Sequence, residues 1–534
     1  MRHLLLLFSF LLSLQFVNAN NVTIGDIIYD APFVPGDPGY INFTLSWDNS
    51  WRVDNNNHPQ NNMDGVLVFF KFRTETGEWQ NLSLGAPFNG FPFFGLPANF
   101  EYASYGNAKI FHPSTVGKGS ISGLFKFSTP ALPYDVEVRA FAVEMVNIPL
   151  SSTTFGDGNG LSESTNAFHE TDNNYAVYNT FVNVDANAFD DDEIETPNNF
   201  SINPGSGLAQ LNIDNPHFPT YNVTWCMKYE ISQGAYRDFL NTLNVTQQTT
   251  RTANLPTSPT GTGALTTSGN NRNFIEIKNP SVDGFPAEYG CDASGNNVYD
   301  EADDGEFVAC NYLSWPDIAA WLDWAGLAPL NEIQFETICK NNYGNQPIFG
   351  EYAWENKLIN SSAFALGNFN TQSEFASNIS TTLGNAIFNQ SGLDGPVRNG
   401  IFSTATTTNR KQSGAAFYGV MEMSGNLSEA CVTVGNVAGR SYNKLGLPGL
   451  SRGDGILSPN GNALVSYWPG NVAATTMETI ATAEVTTGAG TINRGGSWNS
   501  PKEQLSIADR SGGEVSASRL ATQGGRGVIV VSMY

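Results

Sequence analysis

Basic residues are scarce in this chain, and histidine and cysteine are scarcer still. Lys and Arg total 26 against 50 Asp and Glu, a formal net charge of −24 over 534 residues. That balance repels nucleic acid and anionic lipid, so no nucleic acid is expected as a partner. It suits a protein kept soluble in a salty medium. No apolar run beyond the N-terminus is long enough to cross a bilayer, so no membrane span is expected. The five histidines are His3, His58, His112, His169 and His217. Only His217 lies beyond residue 200, which leaves no Ser-His-Asp set to assemble in the C-terminal part. The five cysteines are Cys226, Cys291, Cys310, Cys339 and Cys431, with no CxxC spacing, which argues against a structural zinc site. Their odd number leaves at least one thiol in an oxidising compartment. Cys291 and Cys310 bracket a loop-rich stretch and form the expected first disulfide; Cys339 with Cys431 is the second choice. The last hundred residues contain no cysteine.

What is present falls into segments. Residues 1–19 read as a cleaved signal peptide, with Arg2 and His3 before the apolar Leu4–Val17 and a small residue at Ala19. The mature chain is therefore expected to be secreted, at the cell surface or periplasmic. Residues 20–185 alternate apolar and polar positions between turn-rich breaks, the pattern of a β-sandwich. Trp47, Trp51, Phe69, Phe70, Phe72 and Trp79 fit the inner face of that sandwich, or alternatively an aromatic platform for carbohydrate. The acidic run Asp190-Asp191-Asp192-Glu193, followed by Pro197, marks a linker over 186–200.

Residues 201–534 form the second domain. WCMKYEISQGAYRDFLNTL (Trp225–Leu243) passes from strand to helix, with Ser232 as N-cap and Tyr236, Phe239, Leu240 and Leu243 as the apolar stripe. WPDIAAWLDWAG follows the cap residue Ser314, has Pro316 in its first turn and stops at Gly326. A third helix starts at Asn331, in NEIQFETICK. The rest is rich in Gly, Asn and Thr with little periodicity. The fold class expected is α+β: an N-terminal β-sandwich followed by an irregular domain.

Six segments in order carry a resemblance: KYEISQGAYRDFL, CNYLSWPDIAAWLDWAGLAPLNEIQFETICK, GPVRNG, GVMEMSGNLSEA (Gly419–Ala430), RGGSW (Arg494–Trp498) and GGRGV (Gly524–Val528). Together they resemble the sulfatase-modifying-factor family of formylglycine-generating enzymes. The resemblance implies that family's compact fold, related to C-type-lectin-like domains. It implies calcium at Asn426 and Glu429, with a backbone oxygen near Leu427; carboxylate, amide and carbonyl oxygens are the ligands a hard cation takes. Asn368 matches a ligand of the family's other calcium site. The joined β domain looks like that of secreted Bacteroidetes proteins.

The family's oxidase chemistry does not carry over. Its two copper-binding cysteines follow the GGS segment, whereas here Ser500 stands at the first position and the second falls in a short deletion. Hydroxyls do not replace thiolates on Cu(I), so no copper is expected. The three-histidine iron centre of the sulfoxide-synthase branch finds no histidines to build it. Arg494, Asp509 and Arg510 could line a cleft or act as buried partners. Asp292, Ser294, Asn296, Asp300 and Asp303 loosely match a calcium loop, with Asn297 in place of its glycine. The expected function is binding or structural, toward an extracellular protein or glycan. A divergent enzyme of the family and a carbohydrate-binding protein are the alternatives.

Overall fold

The computed structural model describes residues 22–149 and 223–530 apart from short gaps (33, 35, 55–61, 76, 89–95, 134, 341–347, 405, 435, 443–451 and 472–482), and isolated short strands between 153 and 211. The signal-peptide segment and the acidic run Asp190–Glu193 lie outside the described residues.

Eight strands open the chain: β1 (Thr23–Asp30), β2 (Tyr40–Arg52), β3 (Asp64–Thr74), β4 (Gln80–Leu82), β5 (Phe100–Tyr105), β6 (Ala108–Pro113), β7 (Gly117–Ser128) and β8 (Val136–Asn147). In β2 the alternate residues Ile41, Phe43, Leu45 and Trp47 are buried and their neighbours are only half-buried, so one face points inward. β2 is central in a three-stranded antiparallel sheet with β1 and β7. That sheet lies on a second, larger one, and Phe43 meets Phe70 and Phe111 across the interface at 5.2 and 5.9 Å.

β3 explains its own sequence. Val66, Leu67, Val68, Phe69 and Phe70 are all buried, an unbroken apolar run where a one-sided strand would alternate. Val66, Val68 and Phe70 point into the core shared with β2. Leu67 and Phe69 point the other way, into a core with Trp225, Trp321 and Trp324 from the second half. A strand with a core on each face is apolar through its middle, and the buried Asp64 and Lys71 near its ends take hydrogen bonds instead.

The sheet does not stop where the first segment ends. Val223–Met227 pairs antiparallel with β8, Cys226 opposite Val146, and on its other side with Gly527–Val530 near the C-terminus. One sheet of eight strands thus joins the two halves. Ordered helix is sparse: α1 (Gln233–Leu240), α2 (Val245–Arg251), α3 (Trp315–Ala325) and α4 (Glu332–Cys339) are the principal helices among the described residues. The chain is α+β, with strand far outweighing helix.

The helix starts and stops are those written in the sequence. Ser232 accepts from the Ala235 N–H at 3.2 Å to cap α1, and Tyr236, Phe239, Leu240 and Leu243 are buried. α3 begins with a reciprocal Ser314–Asp317 capping box and ends at Gly326, whose φ of 72° suits a residue without Cβ. Every residue of α3 is buried, Asp317 included, because Arg251 and Arg519 neutralise that carboxylate at 3.1 and 2.9 Å. Asn331 and Gln334 form the capping box of α4.

The expected Cys291–Cys310 disulfide is not formed: all five cysteines are free, buried thiols. Cys291 and Cys310 share one hydrophobic core, where they pack as small apolar side chains. Of the six first-domain aromatics, Trp47, Phe69 and Phe70 are core residues. Trp51 and Phe72 pack partly buried against core clusters, and Trp79 reaches a cleft.

Candidate functional site

Three segments far apart in sequence meet in one small sheet. Ser428–Val432 pairs antiparallel with Thr491–Arg494, Glu429 opposite Arg494, and parallel with Gln523–Gly524. GVMEMSGNLSEA, RGGSW and GGRGV are thereby brought side by side. The glycines of RGG are required there. Gly495 has φ of 77°, and a Cβ on it would come within 2.8 Å of the Met423 carbonyl oxygen.

Beside this sheet is a cavity of about 290 Å³ whose wall includes Asn493, Gly496, Ser497, Ser500, Asp509 and Thr522. Ser497 and Ser500 close a tight turn: the Ser500 N–H donates to the Ser497 carbonyl at 3.0 Å, and the Ser497 N–H donates to Ser500 Oγ at 3.0 Å. Their hydroxyls lie 3.2 Å apart. Asp509 accepts from the Ser511 N–H and hydroxyl at 3.0 and 2.6 Å. Asn493 Oδ1 is buried with no hydrogen-bond partner among the described residues. The cavity is thus lined by hydroxyls, amides and one carboxylate, chemistry suited to hydrogen bonding a polar ligand. None of the five cysteines lines it.

No protein-family model matches the chain, and no curated protein matches its sequence.

Arg494 and Arg510 act as buried partners rather than cleft residues. Arg494 donates to Glu332 at 3.1 Å and Glu336 at 2.8 Å, and Arg510 donates to Glu332 at 2.6 Å. Burial alone would raise both carboxyls, but the neighbouring cations outweigh it. Arg510 and Arg494 hold Glu332 below its ordinary value, and Lys340 and Arg494 do the same for Glu336. Asp509 is not part of this network.

Asn426, Leu427 and Glu429 do come together, around a residue the motif reading passed over. Asn426 Nδ2 donates to Glu230 Oε2, the Leu427 N–H donates to Glu230 Oε1 at 2.8 Å, and Asn426 Oδ1 accepts from the Val397 N–H at 2.9 Å. Glu429 Oε1 is taken by Arg526, whose Nε donates at 2.7 Å. Glu422 completes the group, accepting from the Gly400 N–H at 2.8 Å. Burial pushes Glu230 well above the ordinary carboxyl value, and the adjacent Glu429 adds to it. Burial likewise brings Glu422 to about 7, although Arg526 and Arg398 pull the other way.

In these contacts the Asn426 side chain is paired with Glu230 and Val397, and one oxygen of Glu429 with Arg526. Leu427 turns its N–H to Glu230, and the Arg526 guanidinium supplies positive charge beside Glu429. Two oxygens, Glu422 Oε2 and Glu429 Oε2, are buried without a hydrogen-bond partner among the described residues. Among the described residues no group of three or more His, Cys, Asp or Glu is placed to hold a metal ion.

The other two calcium candidates make contacts within their own loops. Asn368 is exposed and donates to Ser373 Oγ at 3.1 Å. In the Asp292–Asp303 stretch, Asp292 accepts backbone N–H groups from Asn296 at 3.1 Å and Asn297 at 2.9 Å, and Asp300 accepts from the Cys291 N–H at 3.0 Å. Sequence reasoning quoted Glu230, Glu422 and Arg526 only as letters of landmarks. Their signal was a charge set among apolar neighbours, in KYEIS, GVMEMSG and GGRGV. A charge inside such a run has to find a partner in the core.

Proposed function

We propose that the chain is an exported binding protein built on a scaffold like that of the formylglycine-generating enzymes, related to C-type-lectin-like domains, without the oxidase chemistry. The observation that carries this reading is Ser500 on the wall of the Asn493–Asp509 cavity, with every cysteine buried elsewhere. A thiolate pair is what copper oxidation of a thiol substrate needs, and a pair of serine hydroxyls is not a soft ligand set. The same hydroxyls, with Asn493 Oδ1 and Asp509, are apt for holding a polar ligand without transforming it. Export to the extracellular space, cell surface or periplasm follows from the N-terminal segment in this reading.

The test has two arms. Oxygen uptake is measured with a cysteine-containing peptide and added copper; none is expected, and turnover overturns the proposal. A thermal-shift screen then covers amino acids, short peptides and monosaccharides. At least one compound should stabilise the wild type and fail to stabilise Ser500→Trp, which fills the cavity. A screen with no such compound also counts against the reading.

A further inference from the structure

A cleft of about 1110 Å³ lies where the two halves of the chain meet, and it shares no lining residue with the Ser500 cavity. One wall is the N-terminal sheet with Arg73, Trp79 and Arg139; the facing material comes from the Gly284–Ala287 turn and the Gly455–Leu457 loop.

The distribution of exposed apolar side chains singles it out. The three most exposed large hydrophobics among the described residues are Phe285 at 73%, Ile456 at 62% and Val282 at 61%. Phe285 and Ile456 line this cleft, and Val282 belongs to the same turn as Phe285. Single exposed apolar residues need no explanation, but two lining one concavity, with a third in the adjoining turn, mark a binding surface. The turn is held in shape. The Phe285 N–H donates to the Val282 carbonyl at 2.9 Å, and Ser281 Oγ donates to the Phe285 carbonyl at 2.7 Å.

Trp79 is the aromatic contribution of the other half. The guanidinium groups of Arg73 and Arg139 sit 4.7 and 4.5 Å from its ring centre. Both arginines are fixed by one carboxylate, Glu137, at 2.8 and 3.0 Å. The ring is therefore pre-positioned, which lowers the entropy cost of stacking a ligand on it.

Charge decides the ligand class. Both signs line the cleft inside a protein of net charge −24: Arg73 and Arg139, already paired with Glu137, stand with Glu75, Glu78 and Glu288, while the Lys71 ammonium is buried against Asn81 and the Gly455 carbonyl. A charged polymer of either sign gains nothing there. A purely aliphatic segment would bury those ionic groups at a cost. An uncharged sugar chain matches both features: its C–H faces suit Trp79, Phe285 and Ile456, and its hydroxyls suit Arg73, Glu75 and Gln80. We propose that this cleft binds a neutral polysaccharide, using residues of both halves.

The full-length protein is run by affinity electrophoresis in gels containing soluble β-glucan, galactomannan or arabinoxylan, with polygalacturonate as the charged comparison. At least one neutral polymer should retard it. Phe285→Ala and Trp79→Ala should each weaken that retention at least tenfold at an unchanged melting temperature, with Trp79→Phe keeping most of it. Ser500→Trp should leave it intact, which separates this site from the Ser500 cavity. Retention by polygalacturonate alone, by none of the neutral polymers, or equally by both alanine variants overturns the proposal.

Discussion

Arg526 and Glu429 form an ion pair inside the protein, Nε to Oε1 at 2.7 Å, with both side chains at most 1% exposed. Arg526 also donates to the carbonyls of Met227 and Lys228 at 3.2 Å, so one guanidinium ties the C-terminal GGRGV segment to the strand that joins the two halves. Around it lie three carboxyls, Glu230, Glu422 and Glu429, with Arg398 as the second cation.

Removing one partner of such a pair leaves the other buried and uncompensated, at a cost of ~3–5 kcal/mol. Arg526→Met is therefore expected to lower the urea midpoint severely. Arg526→Met with Glu429→Leu should recover a large part of the loss, because no orphan charge remains. The double-mutant cycle measures the coupling. A double variant as unstable as the sum of the singles would show that the pair has no special role.

How much of this was legible in advance can be argued from particular residues. The caps Ser232, Ser314 and Asn331 act locally, over three or four residues, and sequence shows them plainly. The β2 alternation was equally plain. Alternation is expected of β3 as well, and the structure shows an unbroken buried run there instead; nothing local names its second core, since Trp324 lies 255 residues beyond Phe69 by subtraction of their positions. The Ser500 position was found by motif order. Its pocket partners Asn493 and Thr522 were not, because lining a cavity has no sequence period. Glu230 was hidden for a related reason: its meaning comes from Asn426 and Leu427, nearly two hundred residues away. Cys291 and Cys310 misled because proximity in sequence to one loop says nothing about sulfur geometry.

The state of the cysteines gives a count. All five are buried free thiols, and burial raises each above the ordinary thiol value, Cys226 to about 12. An aromatic disulfide reagent at pH 8 is expected to react with none in the native protein and with all five in urea. A Cys291–Cys310 bridge would give five minus two, three. Fast reaction in the native state would mean that at least one thiol is accessible.

The buried acid cluster makes stability depend on pH in a definite direction. Glu422 has its carboxyl raised in the folded state to about 7, against 4.5 when unperturbed. Below 4.5 the group is protonated in both states and contributes nothing. Between 4.5 and about 7 the unfolded chain loses the proton while the folded one keeps it, so rising pH favours unfolding. Above 7 the penalty is constant, on the order of 3 kcal/mol at most, from about 1.4 kcal/mol per pH unit. Glu422→Gln keeps an oxygen for the Gly400 N–H and removes the titration. Relative to the wild type, the variant should gain stability progressively as pH rises from 4.5 to 7, then hold that gain. Urea midpoints of both proteins at half-unit pH steps read the difference. A flat difference across that window would mean that the folded state does not raise the Glu422 carboxyl. A difference confined to pH below 4.5, with the variant losing ground as pH rises, would mean that Arg398 and Arg526 overcome burial and hold it ionised.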